Sequence, residues 1–491
     1  MTTIKFVNRH CNYFFKLRIL TMHPCHQHNQ IVGLKQLVNC YNKNGGRLIC
    51  FPVESDSIEV IKDPKSFHNK LKRSINSSSK RIVLSSLYLG TGRLEKELIN
   101  ILKKRLQLIS DLRVNILVDY NRGQRLNQHD DPKSSSKGLL QDLVNRANIY
   151  FFLSPAFCSY FHRHLTLPLQ FVNECISLQH IKCYIFDDNL IISGANLSAD
   201  YFTNRQDRYI YVHNCPELCN YLESVVNLIG RVGFKLTVNG QLTTDSSDSF
   251  NPFDREKFIK TFKDNLTQIQ SKYLKLDEFS VTKVSGETLI VPTIQMKYLQ
   301  VTEDFDLTST LFNLARHSSR VNHLVSGYFN LTKDYIDHLT QLNVSTRLNV
   351  LAASEEVNGF YKANGFKYLI PKIYTDKSKH FLEIIKQTSA NIQFYTYSRP
   401  NWTFHAKGFW TYLDDDSYVT SIGSSNYGYR SVERDLEMQF LIVTKDSTLI
   451  DKLEKERKQL WKFASPILDH NNLPPISLGT KLISSIFGSY F

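Results

Sequence analysis

His180 and Lys182 stand two residues apart, and Asp187, Asn196 and Asp207 follow behind them. A second, altered copy puts His405, Lys407, Asn426 and Glu437 in the corresponding places, with Asp207 and Glu437 each eleven residues after their asparagine. In extended chain, residues i and i+2 face the same way, so each histidine shares a surface with its lysine. That set suits phosphodiester chemistry without a metal. One imidazole attacks phosphorus and forms a phosphohistidine; the other protonates the departing oxygen and later deprotonates an incoming alcohol. The lysines and asparagines surround the non-bridging oxygens, and a carboxylate behind each imidazole fixes its tautomer. A lone His-x-Lys carries little information, but two matched sets do, and a lysine on an otherwise buried strand is costly unless something compensates it. Asp187 has no counterpart at the same spacing in the second copy, which makes it the peripheral member of the catalytic set.

The elements that must hold these residues read as a layered α/β domain, met twice. Residues 80–90 form an unbroken apolar strand, residues 91–107 switch to helical spacing with Leu94, Leu98, Ile99, Leu102 and Leu106 on one side, and residues 113–120 return to strand. Gly90-Thr-Gly92 lacks the Gly-Lys-Ser/Thr ending of a phosphate-cradling loop and reads as a tight turn. Arg122 and Arg125, just past a strand end, either hold a phosphate or lie in a solvated loop. Residues 237–281 are polar and uneven and read as a connection with some helix in it. Residues 320–332 and 345–354 then repeat the first two strands, and residues 405–413 and 418–423 form a hairpin whose Asp414, Asp415 and Asp416 read as a solvated turn. In residues 471–491 Leu482, Ile483, Ile486, Phe487 and Tyr490 share a helical face, for which docking on the protein is the expectation over lying in a bilayer interface.

A chain of 491 residues accommodates two ordinary domains, and its formal charge of +14 implies anionic partners without choosing among nucleic acid, a lipid surface and a phosphorylated substrate. Residues 1–30 are basic, contain no acid and read as a mitochondrial targeting segment. No apolar run reaches membrane-spanning length, so the expected membrane contact is peripheral. The nine cysteines form no framework of a secreted scaffold. The groups His23/Cys25/His26/His28 and Cys215/Cys219 lack a second ligand pair at a zinc spacing, so neither a metal nor another cofactor is expected.

The duplicated motif resembles the phospholipase D superfamily, in which two such copies meet at a pseudo-twofold interface. Within it, the stretches SSLYLGTGRLEKEL, LVDYNRGQR, LQHIKCYIFDD, ISGANLSADYFTNRQDRY, RPNWTFHAKGFW and GYRSVERDLE resemble the eukaryotic phosphatidylglycerophosphate synthase family, over residues 85–443. The resemblance implies two similar domains, each a mixed sheet flanked by helices, over residues 31–236 and 282–470, sharing one active site. It implies His180, Lys182, Asp187, His405 and Lys407 as catalytic residues, and Asn196, Asn426, Asp207, Glu437, Arg122 and Arg125 as substrate-binding ones. The third member of the second motif departs from the pattern: Tyr412 stands where the superfamily has Asp. The implied substrates are CDP-diacylglycerol and glycerol 3-phosphate, met at an anionic membrane on the matrix side of the mitochondrial inner membrane. Other superfamily members act on the same donor or by the same covalent step with other acceptors. A nuclease would use the charge on nucleic acid, but no basic stripe interleaved with aromatics is present and nucleic acid is not an expected partner. A non-catalytic lipid-binding scaffold would not need both histidine–lysine pairs.

Overall fold

A computed structural model of the chain describes residues 48–127, 134–157, 170–244, 254–274, 288–318, 320–413 and 416–490, with Leu37 and Tyr41. Ile82, Val83 and Leu84 form the centre of strand Arg81–Ser85, which is buried along its whole length. It pairs in parallel with Arg113–Asp119, which pairs in parallel with Asn148–Phe152. On its other side the antiparallel strands Cys183–Phe186, Asn189–Ser193, Tyr209–Val212 and Ile58–Ile61 follow in turn, within a mixed sheet of nine strands among the described residues. The second half repeats this order. Asn322–Ser326, Arg347–Ala353 and Asn391–Tyr397 are parallel, and Lys407–Tyr412, Tyr418–Gly423, Glu437–Thr444 and Thr288–Met296 continue antiparallel. The expected hairpin is therefore Lys407–Tyr412 against Tyr418–Gly423; Asp414 and Asp415 of its turn lie outside the described residues, and exposed Asp416 pairs with Arg320 at 3.2 Å.

Strand alternation divides the core into layers. Val83, Ile185, Ile192 and Ile210 of the first sheet share one buried cluster with Ile294, Ile422, Met438 and Phe440 of the second, so the halves meet across a common apolar core. The alternate residues, Ile82, Leu84 and Ile191, face helices Pro64–Ser77 and Arg93–Leu108, whose buried Leu98, Ile99, Leu102 and Leu106 are the stripe expected. Leu289, Leu324 and Val350 play the same part beneath the helices of the second half. This is the two-sheet, helix-flanked α/β architecture expected. Two segments tie the halves further. Phe51–Val53 adds an edge strand to the second sheet, pairing with Thr288–Ile290, and helix Arg255–Ser271 buries Phe258, Phe262 and Leu266 in the common core.

Arg208 crosses the interface as a buried cation. Its guanidinium donates to the Ser421 carbonyl at 2.6 Å and to Thr420 Oγ1 at 3.1 Å, and forms a fork with Glu456 at 2.9 and 2.8 Å. It also lies 4.1 Å from the Trp410 ring, which completes an all-sided enclosure of the charge.

The C-terminal helix, Leu478–Phe487, corrects the expectation about its face. Thr480 and Ser484 are turned inward, while Leu482, Ile486 and Phe487 point out. Small side chains permit close approach to helix Leu369–Lys386, where Lys377 Nζ donates to the Ser484 carbonyl at 3.2 Å. Of the predicted apolar face, Ile483 packs inward onto Leu369, Ile370 and Ile373, and Tyr490 lies against the Arg434 guanidinium at 3.7 Å.

Candidate active site

Each histidine is held by backbone pairing with the opposite half. The His180 N–H donates to the Leu436 carbonyl at 2.8 Å, and the Leu436 N–H returns a bond to Leu178 at 2.8 Å. In the pseudosymmetric position Thr403–Phe404 pairs in parallel with Arg205–Gln206, and the His405 N–H donates to the Gln206 carbonyl at 2.8 Å. Both histidines thus precede the strands Cys183–Phe186 and Lys407–Tyr412 rather than lying within them. Near this axis the backbones nearly touch: a Cβ on Gly194 would fall 2.8 Å from the Gly423 carbonyl, so glycine is required there.

The carboxylates are exchanged between the copies. Sequence order places Asp207 behind His180, but His180 Nδ1 lies 2.9 Å from Glu437 Oε2, and His405 Nδ1 lies 2.7 Å from Asp207 Oδ2. The ladders explain this, since each carries the residue before a histidine alongside the residue before the other half's carboxylate. Both histidines line one cleft, and their Nδ1 bonds leave Nε2 as the nitrogen for chemistry. Lys182 Nζ donates to the His180 carbonyl at 2.7 Å, and Lys407 Nζ stands 2.8 and 3.2 Å from the two ring nitrogens of His405.

Burial shapes the charges here. It pulls Lys407 down to about 8, against Asp207 and Glu437, and takes Lys182 well below the ordinary lysine value. It lowers His180, against the pull of Glu437, and lowers His405 much further, helped by the Lys407 charge. Burial also pushes Asp207 up to about 6 against Lys407. For Glu437 burial acts upward too, but the charge of His180 and its hydrogen bond prevail and hold the carboxyl at about 2. Glu437 is therefore ionised beside a His180 that burial biases toward the neutral imidazole, whereas Asp207, raised to about 6, faces a His405 whose charged form burial disfavours more strongly.

The asparagines lie at the cleft. Asn196 Nδ2 donates to the Tyr201 hydroxyl at 3.3 Å, while buried Asn426 Oδ1 has no protein partner among the described residues. Arg122 also lines the cleft, stacked 4.2 Å from the Tyr88 ring and in no ion pair among the described residues. Arg125 is beside it but is spent on Glu174, at 3.0 Å to both oxygens. Asp119 positions this corner, accepting from the backbone N–H groups of Arg122 at 2.7 Å and Gln179 at 2.9 Å. Asp187 is not brought to the cleft. It accepts from the backbone of Ser79, Lys80 and Arg81 at 2.9, 2.7 and 3.0 Å, fixing the start of the central strand from a left-handed turn.

Arg205 and Arg430 line the cleft without having been singled out from the sequence, paired with Asp200 at 3.1 Å and Asp435 at 3.0 Å. The signal for both was available: each lies between the asparagine and the carboxylate of its copy. Tyr328 and Tyr374 complete the wall, stacked on one another with ring centroids 5.3 Å apart. No cluster of three or more metal-ligating side chains occurs among the described residues. His23, Cys25, His26 and His28 lie outside the described residues, and Cys215 and Cys219 are buried thiols with sulfurs 3.6 Å apart.

A family model described as "Cardiolipin synthase, PLD-like domain" matches residues 293–461. A CDP-diacylglycerol–glycerol-3-phosphate 3-phosphatidyltransferase, mitochondrial, of Gallus gallus is 35% identical, with 90% of this chain and 85% of that protein covered. The Homo sapiens protein of the same name is 34% identical, covering 90% of this chain and 84% of its own length. Among solved structures, a phosphatidylserine synthase of Haemophilus influenzae Rd KW20 superposes with a TM-score of 0.70 over 92% of this chain and 98% of its own, at 18% identity, which is a likeness of fold.

Proposed function

We propose that this chain, which belongs to the CDP-diacylglycerol–glycerol-3-phosphate 3-phosphatidyltransferase family of phospholipase D-like proteins, transfers the phosphatidyl group of CDP-diacylglycerol to the primary hydroxyl of sn-glycerol 3-phosphate. CMP leaves and phosphatidylglycerophosphate forms, on the route to cardiolipin. The observation that carries the reading is the single cleft lined by both histidines, each backed by the other half's carboxylate. His180 Nε2 attacks the phosphorus attached to diacylglycerol, a P–N bond forms and the bond to the CMP oxygen breaks. Glu437, held ionised, offsets the positive charge that develops on His180. His405, backed by Asp207 at 2.7 Å, protonates CMP and then takes the proton of the glycerol 3-phosphate hydroxyl, which attacks phosphorus and releases His180. Lys182, Lys407, Asn196 and Asn426 surround the phosphoryl oxygens. Arg122 holds the phosphate of glycerol 3-phosphate, with Arg125 beside it.

The enzyme works in the mitochondrion, at the matrix side of the inner membrane and in peripheral contact with anionic lipid. No helix among the described residues is long and apolar enough to cross a membrane. Residues 1–30 serve as the targeting segment, residues 31–236 and 282–470 as the two halves with 237–281 between them, and residues 471–491 as the tail.

Product identity tests the reading. Purified protein with labelled CDP-diacylglycerol is offered glycerol 3-phosphate, serine, phosphatidylglycerol or water; formation of phosphatidylserine, cardiolipin or phosphatidate in place of phosphatidylglycerophosphate would sink it. In the same assay Arg122→Ala should raise KM for glycerol 3-phosphate roughly ten- to hundredfold, the loss of a charged hydrogen bond worth about 1.5–3 kcal/mol. An unchanged KM removes Arg122 from acceptor binding.

The pH dependence has a definite sign. Below about 6 Asp207 is protonated and His405 loses its acceptor, and above about 8 Lys407 loses its charge. We expect kcat/KM to rise through the first value and fall through the second. A profile that climbs steadily from pH 6 to beyond pH 9, the alkaline end being roughly one unit past the Lys407 value, contradicts this.

A further inference from the structure

Leu478, Leu482, Ile486 and Phe487 are 85, 62, 58 and 48% exposed on the C-terminal helix. Positions 478, 482 and 486 form one stripe at i, i+4 spacing, the face that an amphipathic helix normally turns toward a core. The outward orientation is fixed by contacts on the inner side. Lys377 Nζ donates to the Ser484 carbonyl at 3.2 Å, Asn330 Nδ2 to the Gly488 carbonyl at 2.7 Å, and Arg434 Nε to the Ser489 carbonyl at 3.2 Å.

The stripe stands next to the catalytic cleft. Ile483, on the inner side of the helix, packs in one cluster with Phe360, Ile370 and Tyr374, and those three side chains also line the cleft. The loop that leads into this wall adds Tyr361, Phe366 and Tyr368, which are 43, 50 and 49% exposed. Neither residues 357–375 nor residues 470–491 contain an acidic side chain, while they carry Lys362, Lys367, Lys372 and Lys481. A face that is apolar and only cationic repels a second copy of itself and complements a negatively charged lipid surface.

We infer that this face, the outer side of helix Leu478–Phe487 with residues 361–368, is the surface by which the protein docks on an anionic phospholipid bilayer. The inference rests on the reading that the donor is a diacyl lipid. The cleft is lined by arginines, tyrosines and carboxylates, so the acyl chains stay in the bilayer while the pyrophosphate enters beside the helix. Leu482, Ile486 and Phe487 sit at the headgroup–acyl boundary, and Lys362 and Lys481 meet lipid phosphates.

The test uses the full chain and vesicles of phosphatidylcholine with phosphatidylglycerol. Leu482→Glu/Ile486→Glu should weaken vesicle flotation at least tenfold and leave Tm unchanged, since both side chains are exposed. It should also cut turnover of donor in vesicles while sparing a short-chain, water-soluble CDP-diacylglycerol. A separate Leu482→Trp variant should show new fluorescence that brominated lipid quenches. Undiminished flotation of the double variant, or no quenching at position 482, overturns the inference. So does a wild-type dimer that the double variant converts to monomer, because the face is then covered by another copy. If the wild type turns over no CDP-diacylglycerol of any chain length, the transferase reading fails, and flotation and quenching still decide the surface.

Discussion

Replacing His180 with alanine is expected to abolish formation of a phosphatidyl-enzyme while leaving donor binding largely intact. In the proposed mechanism this imidazole is the attacking group, with its Nδ1 held 2.9 Å from Glu437, the carboxyl kept at about 2. The label from CDP-diacylglycerol, supplied without acceptor and recovered after denaturation, should sit on His180 in the wild type and be missing from His180→Ala. His405→Ala should instead slow both half-reactions by about a hundredfold to ten-thousandfold, as loss of one general acid/base does. An adduct recovered on His405 would reverse the two roles. Because Glu437 acts through His180, His180→Ala/Glu437→Gln should be no slower than His180→Ala alone. Additive losses would show that Glu437 has a separate task.

Arg208→Met should be among the most destabilising single substitutions in the chain. It removes one partner of a buried pair and leaves Glu456 uncompensated in the interface, a loss of about 3–5 kcal/mol. The same change frees the Ser421 carbonyl and Thr420 hydroxyl of their donor. Denaturant unfolding measures the effect. Arg208→Met/Glu456→Met should recover much of it, since an apolar pair of similar volume avoids the stranded charge. A single variant as stable as wild type would mean that the fork contributes nothing net. Activity should fall along with stability, because the Arg208 guanidinium also donates to the Lys407 carbonyl at 3.3 Å and so helps to hold the backbone that carries this lysine.

The duplicated histidine–lysine pairs were legible in the sequence because their spacing is local and the costs of burying them are general. The same holds for strand Arg81–Ser85, helix Arg93–Leu108 and the hairpin after His405, where apolar periodicity is set by the element itself. The exchange of Asp207 and Glu437 was not legible. Equal spacing within two copies is satisfied equally by pairing within a copy and across copies, and only the cross-half ladders decide. Arg125 and Arg122 look alike in sequence, yet Glu174, forty-nine residues from Arg125, commits one of them to an ion pair. The C-terminal helix shows the limit of periodicity in another way. The pattern gives an apolar face, but the fit of Thr480 and Ser484 against a neighbouring helix decides which way it points. Phe51–Val53 carries no mark that it completes the sheet of the distant half.

The placement of both histidines in one cleft also determines the handedness of the product. In the proposed mechanism His405 handles the proton of both the departing and the arriving oxygen, so CMP leaves and glycerol 3-phosphate enters by the same side of phosphorus, opposite His180. Each displacement turns the phosphorus centre inside out. After two of them a chirally labelled phosphate keeps its original configuration, whichever acyl chains it carries.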